Sequence, residues 1–391
     1  MSRLLISCDN TLYEVDGKIY FKNKEWYDFY QRYLRVFDCL TIANRVLEEK
    51  TLSSNRVIVD DERIDIIKIP FFSGPFNYAK VWFEINKQIG EITNSVDCGL
   101  FRLPSTIGQR ICDIFYKAGI PYALEIVYDA NDGWHSSTSF LEKILWKMID
   151  KRMIKSCSNA KGVSYVTEQY LQRHYPPSRD AFTANYSSLS LNKSFYTGPR
   201  NYPKHRSYVI AHVANQVMYN GRKGYNQLIE AVKILNNRGV NVKVVFGGPS
   251  YNNGIELLSE YATSLGVKEK VEFAGYLTRE QLSEYLELAD IFVLPTMAEG
   301  LPRVLIEAMA KGLPCVTTKV SGNSELIEEK YLFKYGDVNN LVERIYSLLC
   351  NRELYEDASK KNFDKSTEYE ASVLEKRRDN FYYKLKQIAY V

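Results

Sequence analysis

The sequence predicts an α/β protein made of two Rossmann-like, doubly wound parallel-sheet domains. Three observations carry that prediction. The chain has 391 residues, longer than one hydrophobic core usually serves. Short apolar runs alternate with helical patterns along both halves, the rhythm of βαβ units. Between the halves the texture changes: Ser187 to Ser207 is rich in Ser, Asn, Pro and basic residues without clean periodicity, and it reads as a linker. The expected division is 1–200 and 201–370, followed by a tail, 371–391, that ends in a helix.

In the first half the candidate strands are Leu4–Ser7, Cys39–Ala43, Ile64–Ile69, Cys98–Leu103 and Tyr122–Tyr128, with helices over Trp26–Phe37 and Asn77–Ile89. Phe101–Gly108 reads as a strand running into a helix capped by Ser105 or Thr106. The next strand ends at Tyr128-Asp129 and opens the loop Ala130–Ser139. Phe140–Lys155 has the pattern of a basic amphipathic helix. Lys143, Lys147, Lys151 and Lys155 fall four apart on one stripe, and Leu141, Leu145, Ile149 and Met153 fall four apart on roughly the other side. Such a face is ordinarily solvated, but it also suits an anionic membrane surface. In the second half the strands are Tyr208–Ala211, Val242–Phe246, Val271–Phe273, Ile291–Leu294 and Cys315–Thr317, with helices over Tyr225–Asn236, Ile255–Leu265 and Arg279–Ala289 between them.

Composition narrows the partners. With 51 basic against 47 acidic residues the formal charge is only +4, so nucleic acid is not indicated. The seven cysteines form no Cys-x-x-Cys pair and suit buried thiols in a reducing cytoplasm. Leu4-Leu5-Ile6 is too short for a secretory h-region. No apolar run reaches the roughly 18 residues of a membrane span, so a cytoplasmic protein is expected, soluble or peripheral at the inner face of the membrane. His135, His174, His205 and His212 show no ligand spacing, and there is no Asp-x-Asp pair. No metal and no cofactor are therefore expected.

The most informative stretch is Ala289–Thr318, which reads as strand, loop, helix, strand. Pro302 sits near the first helical turn and Gly312 at its end. Glu299 stands in the loop and Glu307 on the helix. In doubly wound sheets ligands bind at the carboxyl ends of strands, where helix N-termini favour phosphate. Two carboxylates so placed could address different hydroxyl-rich parts of one ligand, or be merely solvated. Asn220-Gly221-Arg222-Lys223-Gly224 follows the first strand of the second half and opens a helix, which puts two cations beside backbone N–H groups.

The run Glu299-Gly300-Leu301-Pro302-Arg303-Val304-Leu305-Ile306-Glu307, followed by Ala308–Pro314, resembles the E-x7-E signature of retaining glycosyltransferases of family 4. Phe273–Leu277 upstream and Ser321–Ile327 downstream resemble the segments that flank it, and Ala160–Pro177 resembles the end of the acceptor domain in bacterial surface-polysaccharide transferases. The resemblance implies a GT-B fold: an acceptor domain, 1–200, and a nucleotide-sugar donor domain, 201–370, facing a cleft, with the helix of 371–391 packing back on the first domain.

Glu307 would bind ribose hydroxyls and Glu299 the transferred sugar, with the backbone of Gly300, Leu301 and Pro302 on diphosphate or sugar. Gly275, Tyr276 and Leu277 would lie along the base, and Arg222, Lys223 and Gly224 would hold the diphosphate. Relatives often carry His-Asp where Tyr128-Asp129 stands here, so Asp129 and His135 are the candidates for that catalytic position. They also commonly carry Gly-Arg after the strand that here continues Ala211-His212-Val213, and Arg222 is the candidate substitute.

The implied reaction is metal-free transfer of a sugar, from a UDP-sugar by preference, to a glycan or lipid-linked acceptor in bacterial polysaccharide synthesis, with retention. The rival readings are a nucleotide-sugar epimerase of the same architecture and a catalytically degenerate nucleotide-sugar-binding subunit.

Overall fold

The structure is a computed structural model that describes residues 1–390 except 9, 137–139 and 206; the side chains of 75, 76, 78, 79, 92 and 134–136 also lie outside the described residues. The chain divides into two compact units, Met1–Tyr186 with Lys376–Val391, and Ser187–Glu375.

In the first unit the strands are β1 (Arg3–Ser7), β2 (Thr11–Val15), β3 (Lys18–Phe21), β4 (Cys39–Glu48), β5 (Val57–Ile58), β6 (Ile64–Pro70), β7 (Cys98–Leu103), β8 (Tyr122–Ile126), β9 (Gly162–Tyr165) and β10 (Phe182–Asn185). They form one sheet ordered β10-β9-β8-β7-β1-β4-β2-β3-β5, with β6 on the other edge of β4. The pairings from β10 to β4 are parallel. The sheet is nonetheless mixed, because β3 runs antiparallel to β2 and β5. The reason is the turn between β2 and β3: Asp16 (φ 49°) and Gly17 (φ 75°) are both left-handed, the geometry that matches strand twist in a two-residue hairpin. The helices are α1 (Lys24–Leu34), α2 (Gly74–Ile92), α3 (Thr106–Ala118), α4 (Ala130–Ser136), α5 (Phe140–Asn159) and α6 (Tyr170–His174). Ser105 caps α3, accepting from the Gly108 N–H at 3.0 Å.

The inner faces of α2, α3 and α5 share one core with β7 and β8: Ile85, Ile111, Phe115, Met153, Phe101 and Leu124 are all buried in it. Ile149 and Met153 of α5 point into this core, whereas Leu141, expected on the same stripe, is exposed. At 3.6 residues per turn, a four-residue spacing drifts by about 40° per step, so Leu141 and Met153 cannot share a face. Among the described residues no helix is long and apolar enough to cross a membrane.

The second unit holds β11 (Tyr208–Val213), β12 (Val242–Gly247), β13 (Val271–Gly275), β14 (Ile291–Leu294), β15 (Cys315–Thr318) and β16 (Leu332–Phe333). Their order is β13-β12-β11-β14-β15-β16 and every pairing is parallel. This is the doubly wound arrangement whose order reverses between β11 and β14, beside the first strand, and all carboxyl ends therefore open on one edge. The helices are α7 (Tyr225–Asn237), α8 (Gly254–Ser264), α9 (Arg279–Glu287), α10 (Arg303–Ala310), α11 (Asn323–Leu326), α12 (Val338–Leu349) and α13 (Arg352–Ser366); α14 (Ala371–Ile388) follows them and from Lys376 on belongs to the first unit.

The stretch read as a linker belongs to this unit. The Arg200 guanidinium donates to Lys311 O (2.8 Å), Leu286 O (2.9 Å) and Ala289 O. It thereby satisfies the orphan carbonyls where α9 and α10 end. Burial pushes its pKa down. One side chain thus bolts an irregular segment to two helices.

Candidate functional site

The site is built on the carboxyl ends of β11, β12, β13, β14 and β15. Gly224, the N-cap of α7, has φ 68°, and a Cβ there would lie 2.0 Å from the Pro295 carbonyl oxygen. Only glycine lets the 220–224 turn come this close to the end of β14. The turn is also bonded to that loop, since Met297 N–H donates to the Arg222 carbonyl at 2.8 Å. These contacts bring Lys223 to Glu299, and the two side chains form an ion pair, 32% and 16% exposed. Residues distant in sequence are thus joined as cation and carboxylate at one strand end.

Beyond Glu299 the backbone is braced from the next strand. Ser321 Oγ and Gly322 N–H both donate to the Gly300 carbonyl, each at 3.1 Å. Ser321 holds φ 38° to do so, an uncommon conformation for a residue with a Cβ. Asn323 Nδ2 donates to Thr317 Oγ1 (2.8 Å) and Thr318 O (3.0 Å), fixing the same loop to β15. Leu301 and Pro302 are buried, and Pro302 is the N-cap of α10 instead of lying inside its first turn. Glu307 is half-buried on α10. Burial raises its pKa, against the attraction of Arg303 and Arg279.

Gly275 (φ 70°) ends β13, and its carbonyl accepts from Gly248 N–H at 2.7 Å. Leu277 lies over Gly247 beside Val213, whereas Tyr276 is exposed. Arg222 is exposed as well.

His212, read from the sequence only for ligand spacing, is buried at the end of β11. Its Nδ1 pairs with the Val293 carbonyl at 2.8 Å, and its Nε2 has no hydrogen-bond partner among the described residues. Burial lowers its pKa to about 4, opposed by the Val293 bond and reinforced by the charge on Lys223. The folded protein keeps the ring neutral while the unfolded chain protonates it near pH 6.5. This contribution to stability is complete above that pH and is lost as pH falls toward 4, amounting to about 3 kcal/mol. Unfolding free energies from denaturant titrations at pH 7 and pH 4.5 should diverge less in His212→Phe than in the parent, by about 2 kcal/mol.

Asp129 is in the first unit. It is buried at the end of β8, where Tyr175 donates at 2.8 Å and Asn131 N–H at 2.9 Å to Oδ1, and Tyr170 donates at 3.0 Å to Oδ2. Asp129, Asp150 and His174 place ligand-type atoms within 4.8 Å of one another. The Tyr175 hydroxyl already joins the two carboxylates, lying 2.8 Å from each. His135 has its side chain outside the described residues.

Residues 204–365 match the family described as glycosyl transferases group 1. The chain is 26% identical over 379 residues to Protein CapJ of Staphylococcus aureus, covering 94% of this chain and 91% of that one. Its fold is that of GT-B glycosyltransferases. Anabaena HepE, solved in complex with UDP, superposes with a TM-score of 0.69 at 14% identity over 97% of this chain and 99% of that one. WaaG, a glycosyltransferase involved in lipopolysaccharide biosynthesis, superposes with 0.63 at 16% identity over 96% and 98%. The part of the chain that carries Lys223, Glu299 and Glu307 is thus similar to the glycosyl transferases group 1.

Proposed function

We propose that the protein is a retaining, metal-independent glycosyltransferase that moves a sugar from a nucleotide-diphosphate donor to a glycan or lipid-linked acceptor in bacterial polysaccharide synthesis. The observation that carries the reading is the Lys223–Glu299 pair at the strand ends of a doubly wound sheet. Departure of a nucleoside diphosphate develops negative charge, and a preorganised ammonium can stabilise it without a metal. Glu299, held beside that cation, is suited to accept hydrogen bonds from sugar hydroxyls, and Glu307, half-buried on α10, from ribose. UDP is favoured because HepE, of the same fold, is solved with it. WaaG, described as involved in lipopolysaccharide biosynthesis, supports a role in building bacterial polysaccharide by its likeness alone.

The reading of retention without a covalent glycosyl-enzyme rests on assigning both glutamates to the donor. A double-displacement enzyme needs two carboxyls about 5 Å apart flanking the bond. Here the leaving phosphate oxygen would take the acceptor's proton on the face it departs from. A thermal-shift screen of nucleotide sugars should give the largest stabilisation with a UDP-sugar, and NMR of the product should show the donor's anomeric configuration. An inverted product, or a donor epimerised without acceptor, would overturn the proposal.

A further inference from the structure

The apolar face of the first sheet stops short of the amino-terminal ends of its strands. Leu5 of β1, Ala43 of β4 and Ile67 of β6 are buried in the core shared with α2. Two residues earlier on each strand, the same face carries Arg3, Thr41 and Asp65. Thr41 is paired in register with Leu5 on one side and Asp65 on the other. Below the last core row the floor is therefore polar.

The last turns of α2 do not close over this row. A cleft of about 370 Å³ remains, lined by Thr41, Asp65 and Ile67 from the strands and by Gln88 and Glu91 from the helix. The strands from β6 to β8 run parallel, so the cleft lies at the opposite end of the sheet from Asp129, which follows the carboxyl end of β8.

Groups in this cleft have hydrogen-bonding capacity that the fold leaves unused. Thr41 is only 4% exposed, yet among the described residues no hydrogen bond engages its hydroxyl. The Gln88 amide donates to Glu84 at 2.9 Å. A carboxylate only accepts, which fixes the amide's orientation, and Gln88 Oε1 is left buried with no partner among the described residues. Glu91 is exposed and, among the described residues, enters no ion pair. An unmet buried polar group is costly and uncommon, and here Thr41 and Gln88 line one cleft.

The cations are already taken. Arg3 is ion-paired with Asp65, and Lys68 with Glu14 at 2.7 Å. No surplus positive charge awaits a phosphate or carboxylate, and an ammonium ligand would meet two cations. A hydroxyl both donates and accepts, so a ligand rich in hydroxyls can serve Gln88 Oε1, Glu91 and the Thr41 hydroxyl together. Ile67, 9% exposed, offers an apolar patch to the C–H face of a sugar ring.

We propose that this cleft binds one pyranose residue of a glycan. It lies away from the carboxyl ends of strands, where doubly wound sheets usually hold their ligands. Its volume is at the small end of the roughly 300–1,000 Å³ of ligand sites, which suits a single ring better than a nucleotide sugar. The inference goes beyond the transferase reading, because binding here breaks and forms no covalent bond.

The test is saturation-transfer NMR on the full chain with the methyl glycosides of glucose, galactose and N-acetylglucosamine as probes, with UDP kept saturating so that a donor pocket is filled. At least one glycoside should bind with a Kd on the order of 1 mM, as expected of a ligand of this size. Gln88→Leu removes the orphan carbonyl and Thr41→Val the unused hydroxyl, and each should weaken binding about tenfold. Glu91→Ala should weaken it by about tenfold or more. The variants should keep the parent's UDP affinity, and Thr41→Val, which relieves an unmet buried hydroxyl, should melt no lower than the parent. Inorganic phosphate and methylammonium, the charged controls, should not displace the glycoside.

Absence of binding by all the glycosides, or binding that Gln88→Leu and Thr41→Val leave unchanged, would overturn the site. Displacement by phosphate or methylammonium as effective as by free glucose would overturn its assignment to carbohydrate. A parent that binds no UDP would refute the donor assignment, while the comparison of parent with variants would still decide this site, which keeps the two failures distinct.

Discussion

Glu299→Gln is expected to lower sugar transfer by about a hundredfold while tightening the binding of free UDP. The two effects have opposite signs because Glu299 has two relationships. A carboxylate accepting hydrogen bonds from sugar hydroxyls contributes about 1.5–3 kcal/mol per bond, and a contact that strengthens as the glycosidic bond breaks appears in kcat. In the unliganded protein, however, the same carboxylate is ion-paired with Lys223, so an arriving diphosphate must share or displace it. The pair is partly exposed and worth about 1 kcal/mol, which makes the expected gain in UDP affinity about fivefold.

Lys223→Ala should do the reverse to UDP, weakening it by tenfold or more through loss of a charge-assisted contact. Calorimetric titration of UDP into the parent and both variants, set beside their initial rates, separates the roles. If Glu299→Gln weakens UDP as much as Lys223→Ala does, Glu299 serves to hold Lys223 in place, and its assignment to the sugar is wrong.

How much of this was legible in the sequence depended on how local each determinant is. The strands of the second unit could be read because runs such as Ile291–Leu294 are buried on both faces, and a continuous apolar run is the signature of an internal parallel strand. The hairpin of β2 and β3 went unread although Asp16-Gly17 is a strong two-residue turn signal. Its flanks alternate Tyr, Glu and Lys, and no apolar run marked them as strands.

The docking of Ser187–Ser207 was invisible for another reason. Its anchor, Arg200, bonds to backbone carbonyls, which carry no side-chain signature. At the site, motif spacing identified Glu299, Glu307 and Lys223 as candidates, but neither the Lys223–Glu299 pairing nor the bracing of Gly300 follows from spacing. Ser321 at φ 38° is a conformation set by tertiary contacts. His212 was read only as a histidine without ligand spacing within the Ala211-His212-Val213 segment, and its burial against Tyr225 and Phe246 could not be inferred from a strand of six residues.

Glu125→Ala should be among the most destabilising single substitutions in the first unit, at about 3–5 kcal/mol. Glu125 is 6% exposed on β8, and its Oε1 accepts from the hydroxyls of Tyr186 and Tyr382, each at 2.9 Å. Its Oε2 lies 3.8 Å from Arg102, whose guanidinium stacks over Phe29 at 5.3 Å. Tyr382 belongs to α14, and its ring packs on Tyr33 of α1 at 4.9 Å. The carboxylate is therefore the acceptor for the strand-flanking Tyr186 and for Tyr382 of the C-terminal helix, and the ion-pair partner of an arginine. Burial, reinforced by the Glu125 charge, raises the pKa of both hydroxyls, which keeps them protonated as donors. Removing the acceptor leaves the Arg102 charge and two buried hydroxyls without it, and stranding one member of a buried pair is the costly outcome.

For a unit of this size each kcal/mol moves the melting temperature by about 2–4 °C, so the unit's transition should fall by roughly 6–20 °C. Tyr382→Phe, which deletes one donor and leaves the ion pair, should cost about 1 kcal/mol. Glu125→Gln/Arg102→Met, which removes both charges and keeps an acceptor for the tyrosines, should recover most of the loss. Calorimetric melting of the four proteins with saturating UDP, which stabilises the second unit alone under the donor-site assignment, isolates the first unit's transition. If Glu125→Ala and Tyr382→Phe shift it equally, Arg102 gains nothing from its partner, and the network is held by the tyrosine hydroxyls.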